Sequence, residues 1–303
     1  MIGGRIVDIT SDGVHLSVTR GFMKISKDHE QIGHVALDDI AALIIHAHGA
    51  SFSANLVIRL AERGTPMVMC AANHNPIAFV LPMHGHFEQG IRMRAQADAS
   101  KRKRGRIWRD LIKAKIIAQG DVLDACGING DTVRHMHRSV KAGDPDNFEA
   151  QAARRYWPLL FGKSFRRNQG ADGINAHLNY GYTVLRAAAA RSILGAGLHP
   201  SLSVNHISRG EALRLADDVM EPFRPFVDLV VHRLASDEEQ ELSIEAKQKL
   251  AAVTEFDLSG PKGASPIRVC LDRLCISLAQ MFTGEAAKLE LPGPPLPLMA
   301  ARQ

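Results

Sequence analysis

The 303-residue sequence predicts an α+β chain of more than one domain, with a small β-rich N-terminal domain followed by a larger all-α C-terminal domain. Two changes of texture along the chain carry that expectation. Up to about residue 85 apolar residues alternate with polar ones in short runs separated by turn residues, the period of half-buried strands. Beyond Pro82 they recur every three and four positions, the period of helices packed on a core. Composition agrees, since 46% hydrophobic and 23% charged residues exclude a disordered, collagen-like or coiled-coil chain.

In chain order, Arg5–Ile9, Val14–Val18, Phe22–Ile25, His34–Leu37 and Ala41–Ile45 read as strands. Asp12-Gly13 and Arg20-Gly21 between them carry a hairpin signature. Ser53–Arg63 reads as an amphipathic helix ended by Gly64, and Met67–Cys70 and Ile77–Val80 as two further strands around a turn at Asn73–Pro76. About six strands and one helix therefore fill residues 1–85. Helices are expected at Ile91–Gln119, Thr132–Val140, Glu149–Phe161, Ile174–Gly195, Ala212–Leu234, Ile244–Val253 and Ile267–Phe282, within a domain of residues 86–290. The segment Pro82–Gly90 is the expected linker, and residues 291–303, rich in proline, the expected flexible tail.

Lys and Arg total 37 against 32 Asp and Glu, a net charge of +5, which favours anionic partners. No uncharged apolar run reaches the ~18 residues of a membrane span, and the N-terminus has no leader pattern. Four scattered cysteines in no C-x-x-C pair read as reduced thiols, so a cytoplasmic protein is expected.

The charge is uneven. Between Arg92 and Lys115 ten basic residues face two acidic ones, and Arg154, Arg155, Lys163, Arg166 and Arg167 form a second group. Either group alone equally describes a solvated helix face. Together, flanking an acidic site, they suit phosphate neutralisation and backbone binding to duplex DNA. Aromatic interleaving is thin, which disfavours base stacking on single strands.

Three segments of the helical part can carry chemistry. Glu149 follows Asp146 by three residues, and the pair also fits a helix capping box. His199 and His206 lie in the segment Gly197–His206, where packing roles are equally open to them. Asp217, Asp218 and Glu221 share a helix face at spacings of three and four, an acidic ridge that repels itself unless a cation or an arginine lies against it. Taken together, Glu149, His206 and Glu221 offer two carboxylates and one imidazole, a set suited to Mg²⁺ or Mn²⁺ with positions left for water and phosphate oxygens. Such a site suits phosphodiester chemistry.

These segments also carry a family resemblance. Leu37–Ile40, the Ser53 helix, Gly64–Val68 and Leu81-Pro82, then Glu149–Trp157, Ile174–Tyr182, Gly197–Pro200 and Asp218–Pro225, resemble in order and spacing the spacer-acquisition integrases of CRISPR systems, the Cas1 family, of type II. The resemblance runs from about Arg5 to Pro225. It implies a dimer formed through an N-terminal β domain, association with a companion Cas2 dimer and other type II adaptation proteins, and insertion of short double-stranded DNA fragments into the CRISPR repeat. It maps the family's divalent-metal site onto Glu149, His206 and Glu221, with Asp218 as a neighbouring acid. The chain departs from many type II relatives in carrying Asn205 and Ser203 where they have histidine and glycine, but the spacing from His206 to Glu221 is kept.

The expected function is therefore an integrase in which a DNA 3′-hydroxyl attacks a repeat phosphodiester at a site holding Mg²⁺ or Mn²⁺. Arg154, Arg155, Arg166 and Arg167 are the expected phosphate contacts. Two alternatives differ in chemistry: a metal-dependent nuclease cutting branched DNA in repair, and a non-catalytic DNA-binding scaffold whose acidic ridge only pairs with arginine.

Overall fold

Strand pairing at the N-terminus follows the alternation of apolar residues and the placement of two-residue turns. A computed structural model describes residues 4–71, 76–206, 212–236, 242–260 and 263–296. Its first part runs through β1 (Arg5–Ile9), β2 (Val14–Thr19), β3 (Phe22–Lys27), β4 (Glu30–Ala36), β5 (Ile40–Ile45), β6 (Ser51–Phe52), α1 (Ala54–Glu62), β7 (Met67–Cys70) and β8 (Pro76–Val80). Eight strands rather than about six are thus described here. They form two four-stranded sheets, ordered β4-β3-β2-β6 and β1-β5-β7-β8.

The β2-β3-β4 meander turns at Arg20-Gly21 and Asp28-His29, all four with φ between 47° and 83°, the backbone that a type I′ turn requires. Asp12-Gly13 is not a hairpin tip, because β1 and β2 that it joins belong to different sheets. Its aspartate instead accepts a hydrogen bond from the Gly49 amide at 2.7 Å. In the second sheet β5 runs parallel to both β1 and β7, and β8 returns antiparallel at the edge. The turn expected at Asn73–Pro76 falls largely outside the described residues.

β5 is buried along its whole length, as expected of a parallel strand covered on both faces. Ala42 and Ile44, with Ile6 and Val68, join the core of the helical part. Leu43 and Ile45 pack instead with Leu16, Met23, Leu56 and Leu60. Secondary structure changes near residue 85, but the larger apolar core continues through the sheet.

The second part contains α2 (Gln89–Ala97), α3 (Lys101–Ala125), α4 (Asp131–Arg134), α5 (Phe148–Phe161), α6 (Ile174–Gly195), α7 (Arg214–Met220), α8 (Arg224–Ser236), α9 (Ile244–Ala251), a short pair β9 (Asp257–Leu258) and β10 (Ser265–Pro266), and α10 (Ile267–Thr283). The helix expected over 91–119 is two helices, because the Ser100 hydroxyl caps α3 by accepting from the Lys103 amide at 3.2 Å. The helix expected over 212–234 is interrupted by the 3-10 turn Glu221–Phe223, where Pro222 has no amide hydrogen to donate.

α6 is the central element, with Leu178, Val184, Leu185 and the run Ala187–Ala190 buried among the surrounding helices. Gly181 permits this packing: a Cβ there would lie 2.4 Å from Cγ1 of Val227 on α8. The segment between the two parts is fastened to the end of α6. A Cβ at Gly85 would lie 2.0 Å from the Leu194 carbonyl oxygen, and the Gly85 amide donates to Oε1 of Gln89 at 2.9 Å.

The start of the expected flexible tail is likewise tied down. The Ser259 amide donates to the Pro294 carbonyl at 2.9 Å, and Pro295 bridges to Leu258. Residues 297–303 lie outside the described set. All four cysteines are free thiols, and no described helix is long and apolar enough to cross a membrane.

Candidate functional site

Glu149 enters the site because another residue caps its helix. The expected capping box between Asp146 and Glu149 does not form. Asn147 is the N-cap, accepting from the Ala150 amide, Asp144 accepts from the Phe148 and Glu149 amides at 2.9 Å each, and Asp146 pairs with Lys141. The Glu149 carboxylate is thereby released to turn toward α3, where its Oε1 lies 2.6 Å from Nζ of Lys115.

Glu221 reaches the same ammonium from the other side. It stands at the break between α7 and α8, 2% exposed, with Oε2 2.6 Å from Lys115 Nζ and Oε1 3.2 Å from Nε of Arg224. Glu149 and Glu221, far apart in sequence, thus place oxygens within hydrogen-bonding distance of one nitrogen. The contact of Oε2 with Nζ is a close, buried ion pair. Burial alone would push the Glu221 carboxyl up; Arg224 and Lys115 outweigh it and hold it below the usual range. Burial would likewise lower the Lys115 ammonium, but Glu221 and Glu149 keep it above its ordinary value.

His206 lines the same cleft. Its Nδ1 lies 2.7 Å from Oδ1 of Asp218, and its ring meets Trp108 edge-on at 5.5 Å between centroids. Asp218 is fully buried and also accepts from the backbone amides of Val204, Asn205 and His206, at 2.5, 3.2 and 3.3 Å. A carboxylate anchored by several amides fixes the imidazole and leaves Nε2 as its outward nitrogen, the arrangement that commonly orients a metal-binding histidine. The hydrogen bond to Asp218 raises the His206 pKa against the opposing effect of burial, with Asp218, Glu221 and Asp217 adding to the rise.

The acidic ridge resolves into three separate arrangements. Asp217 pairs with Arg186 at 2.6 Å, Asp218 takes His206 and three amides, and Glu221 takes Lys115 and Arg224. The cleft, about 600 Å³ in volume, is walled by Lys115, Glu149, His206 and Glu221 and extends past Arg167, Arg186 and Tyr182. Two carboxylates and an imidazole nitrogen make a donor set fit for Mg²⁺ or Mn²⁺. Among the described residues no three acidic, histidine or cysteine side chains are drawn close enough to grip an ion as they stand. Lys115 occupies the space between two of them.

The expected phosphate contacts divide. Arg167 lines the cleft, donating to Asn175 at 2.9 Å and Asn179 at 2.6 Å, while Arg154, Arg155 and Arg166 are exposed and do not line it. The first basic group is partly structural. Arg92 is buried and pairs with Glu88, Lys103 donates to the Met281 and Phe282 carbonyls at the end of α10, and Lys115 lies in the site. The sequence reading missed Lys115, Arg186 and Arg224. For Lys115 a signal was present: it shares the helical phase of Leu111, Ile112 and Gln119, all buried.

The inner wall contains a polar core behind the site. Asp228, buried, accepts from the hydroxyls of Tyr156 at 3.0 Å and Tyr182 at 2.5 Å, and the guanidinium of Arg224 sits 5.0 Å from the Tyr182 ring centroid. Burial raises the Asp228 carboxyl to about 7, against the hydrogen bonds of Tyr182 and Tyr156. It therefore holds its proton more tightly folded than unfolded, and its contribution to stability falls as pH rises from the ordinary aspartate range, near 4, to about 7. The Asp228→Asn variant is expected to lose this part of the slope, measured as the difference in urea midpoint between pH 5 and pH 8.

A family model described as CRISPR associated protein Cas1 matches residues 7–251. A CRISPR-associated endonuclease Cas1 of Neisseria meningitidis serogroup C (strain 8013) is 32% identical over 94% of this chain and 94% of its own length. Among solved structures, a casposase bound to integration product superposes with a TM-score of 0.80 at 21% identity, covering 94% of this chain and 92% of that one. A CAS1 protein from Thermotoga maritima superposes at 0.77 and 15% identity, covering 92% and 97%. The strand-rich first part followed by a helical second part is the architecture these structures share with this chain.

Proposed function

The chain belongs to the Cas1 family, and from that premise we propose that it is the divalent-metal-dependent DNA integrase of a type II CRISPR adaptation system. The reaction is a transesterification: the 3′-hydroxyl of a short double-stranded fragment attacks a phosphodiester of the repeat, one P–O bond forms, another breaks, and a new 3′-hydroxyl leaves. No covalent link to the protein is needed. The observation that carries this reading is the meeting of Glu149 and Glu221 at one ammonium, in a cleft that His206 also lines.

Glu149, Glu221 and Nε2 of His206 would hold Mg²⁺ or Mn²⁺. When bound, such an ion polarises a phosphoryl oxygen and lowers the pKa of the attacking hydroxyl. Asp218 holds the imidazole ring in one orientation. Arg167 and Arg186, on the cleft wall, offer positive charge to the DNA backbone. The endonuclease activity named for the Neisseria relative supports this reading, and the casposase of like fold is named as bound to an integration product. A second copy of the chain and a companion Cas2 dimer are the partners that family membership implies.

The His206→Ala variant is expected to lose joining of a short duplex to supercoiled repeat DNA in Mn²⁺, by at least a hundredfold, while retaining DNA binding. Normal joining would refute the ligand assignment. Nicked products without joined ones from the unaltered protein would favour hydrolysis over integration.

A further inference from the structure

We propose that Lys115 is a built-in counter-ion, a tethered cation that occupies the carboxylate pair and is displaced into the cleft when a divalent ion binds. This rests on the metal-dependent reading above. The ammonium lies 2.6 Å from an oxygen of Glu149 and 2.6 Å from an oxygen of Glu221. An ion that took these oxygens, at the still shorter distance of about 2.0–2.1 Å typical of Mg²⁺, would exclude the ammonium from them. The ion and the ammonium cannot both take them.

Two cations neutralise Glu221, and only one is built to leave. Arg224 is a rigid planar group, lying over the Tyr182 ring. Lys115 is a point charge on a flexible four-carbon stem, with no aromatic or amide partner fixing its head among the described contacts. Its residue is only 9% exposed, yet it borders an open cleft into which the stem can swing. The arrangement lets two buried or half-buried carboxylates, Glu221 and Glu149, remain paired in the ion-free protein. Without a cation between them they would repel each other, most strongly at the buried Glu221. It also makes ion binding an exchange of cations instead of a simple addition.

Two measurements on the full chain test this. In the first, the unaltered protein is treated with an amine-acylating reagent with and without saturating Mg²⁺, and labelling at Lys115 is read by mass spectrometry. Labelling is expected to be low without the ion and to rise at least fivefold with it. Unchanged protection of Lys115 while the ion binds would overturn the proposal. In the second, Mn²⁺ affinity is measured from the free-ion electron paramagnetic resonance signal for the unaltered protein and for Lys115→Met at pH 8. Affinity is expected to be at least tenfold tighter in the variant, and equal or weaker binding would also overturn the proposal. Removing a nearby cation that never moves would tighten binding too, so the labelling result decides between displacement and simple repulsion. The first measurement needs no variant and stands whether or not Lys115→Met folds. Mn²⁺ binding to neither protein would defeat the metal-dependent reading and this proposal together. Binding with Lys115 still protected defeats only the latter.

Discussion

Replacing Glu221 by alanine is expected to eliminate strand joining and to destabilise the ion-free protein by about 3–5 kcal/mol, the usual consequence of removing one member of a buried ion pair. The carboxylate is 2% exposed and lies between Lys115 and Arg224. Its loss leaves half-buried Arg224 without its carboxylate, and the buried ammonium of Lys115 with Glu149 alone. The arginine cannot shed its charge, so the cost falls on the fold. Urea denaturation in chelator measures it. A stability within 1 kcal/mol of the unaltered protein would mean that water or another group reaches these cations, and that the site is more open than described. Glu221→Gln keeps the shape and removes the charge, so it separates the two effects: joining should still vanish, with a smaller loss of stability.

The second large effect is expected at Asp218, which touches neither of the two ligand carboxylates. Substitution by asparagine places an amide where one carboxylate accepts from three backbone amides and from the imidazole of His206. An asparagine has a single acceptor oxygen, so at least one of these donors loses its partner. The ring of His206 then loses its fixed orientation, and turnover should fall ten- to a hundredfold, the range typical when the carboxylate behind a metal-binding histidine is removed. The same variant should lower the His206 pKa, because the hydrogen bond to Asp218 is the main cause of its elevation. Proton NMR titration of the ring reads that shift directly. An unmoved His206 titration would mean that Asp218 does not hold the ring and serves only the backbone amides.

Much of this was legible in the sequence, for reasons that differ between residues. The alternation in β2 and β3 and the Arg20-Gly21 turn specify a hairpin locally, and the structure has it. β6, two residues long, is too short to leave a pattern. The break at Ser100 is masked because the basic residues on either side are good helix formers, and a cap is needed to see it. In β5 the run Ile-Ala-Ala-Leu-Ile-Ile hides the fact that its two faces serve different cores, since burial on both sides removes the alternation.

At the site, Glu149, His206 and Glu221 were named from their residue types and from family spacing, and the fold brings all three to one cleft. Their partners were not visible. That Asp218 orients His206 depends on how Val204–His206 lie against it, a contact between residues twelve positions apart with no helical period to announce it. Lys115 was counted among basic residues suited to DNA, although its helical phase pointed inward. A lone basic residue on an apolar stripe was the available clue to a buried ion pair.

The central claim, that Glu149, His206 and Glu221 together hold one catalytic cation, is tested most directly by diffraction at the manganese edge from crystals of the full chain grown with Mn²⁺. An anomalous peak in contact with both carboxylates and with Nε2 of His206 is the predicted result. A saturated crystal with no peak there, and with Lys115 still bridging Glu149 and Glu221, would contradict it.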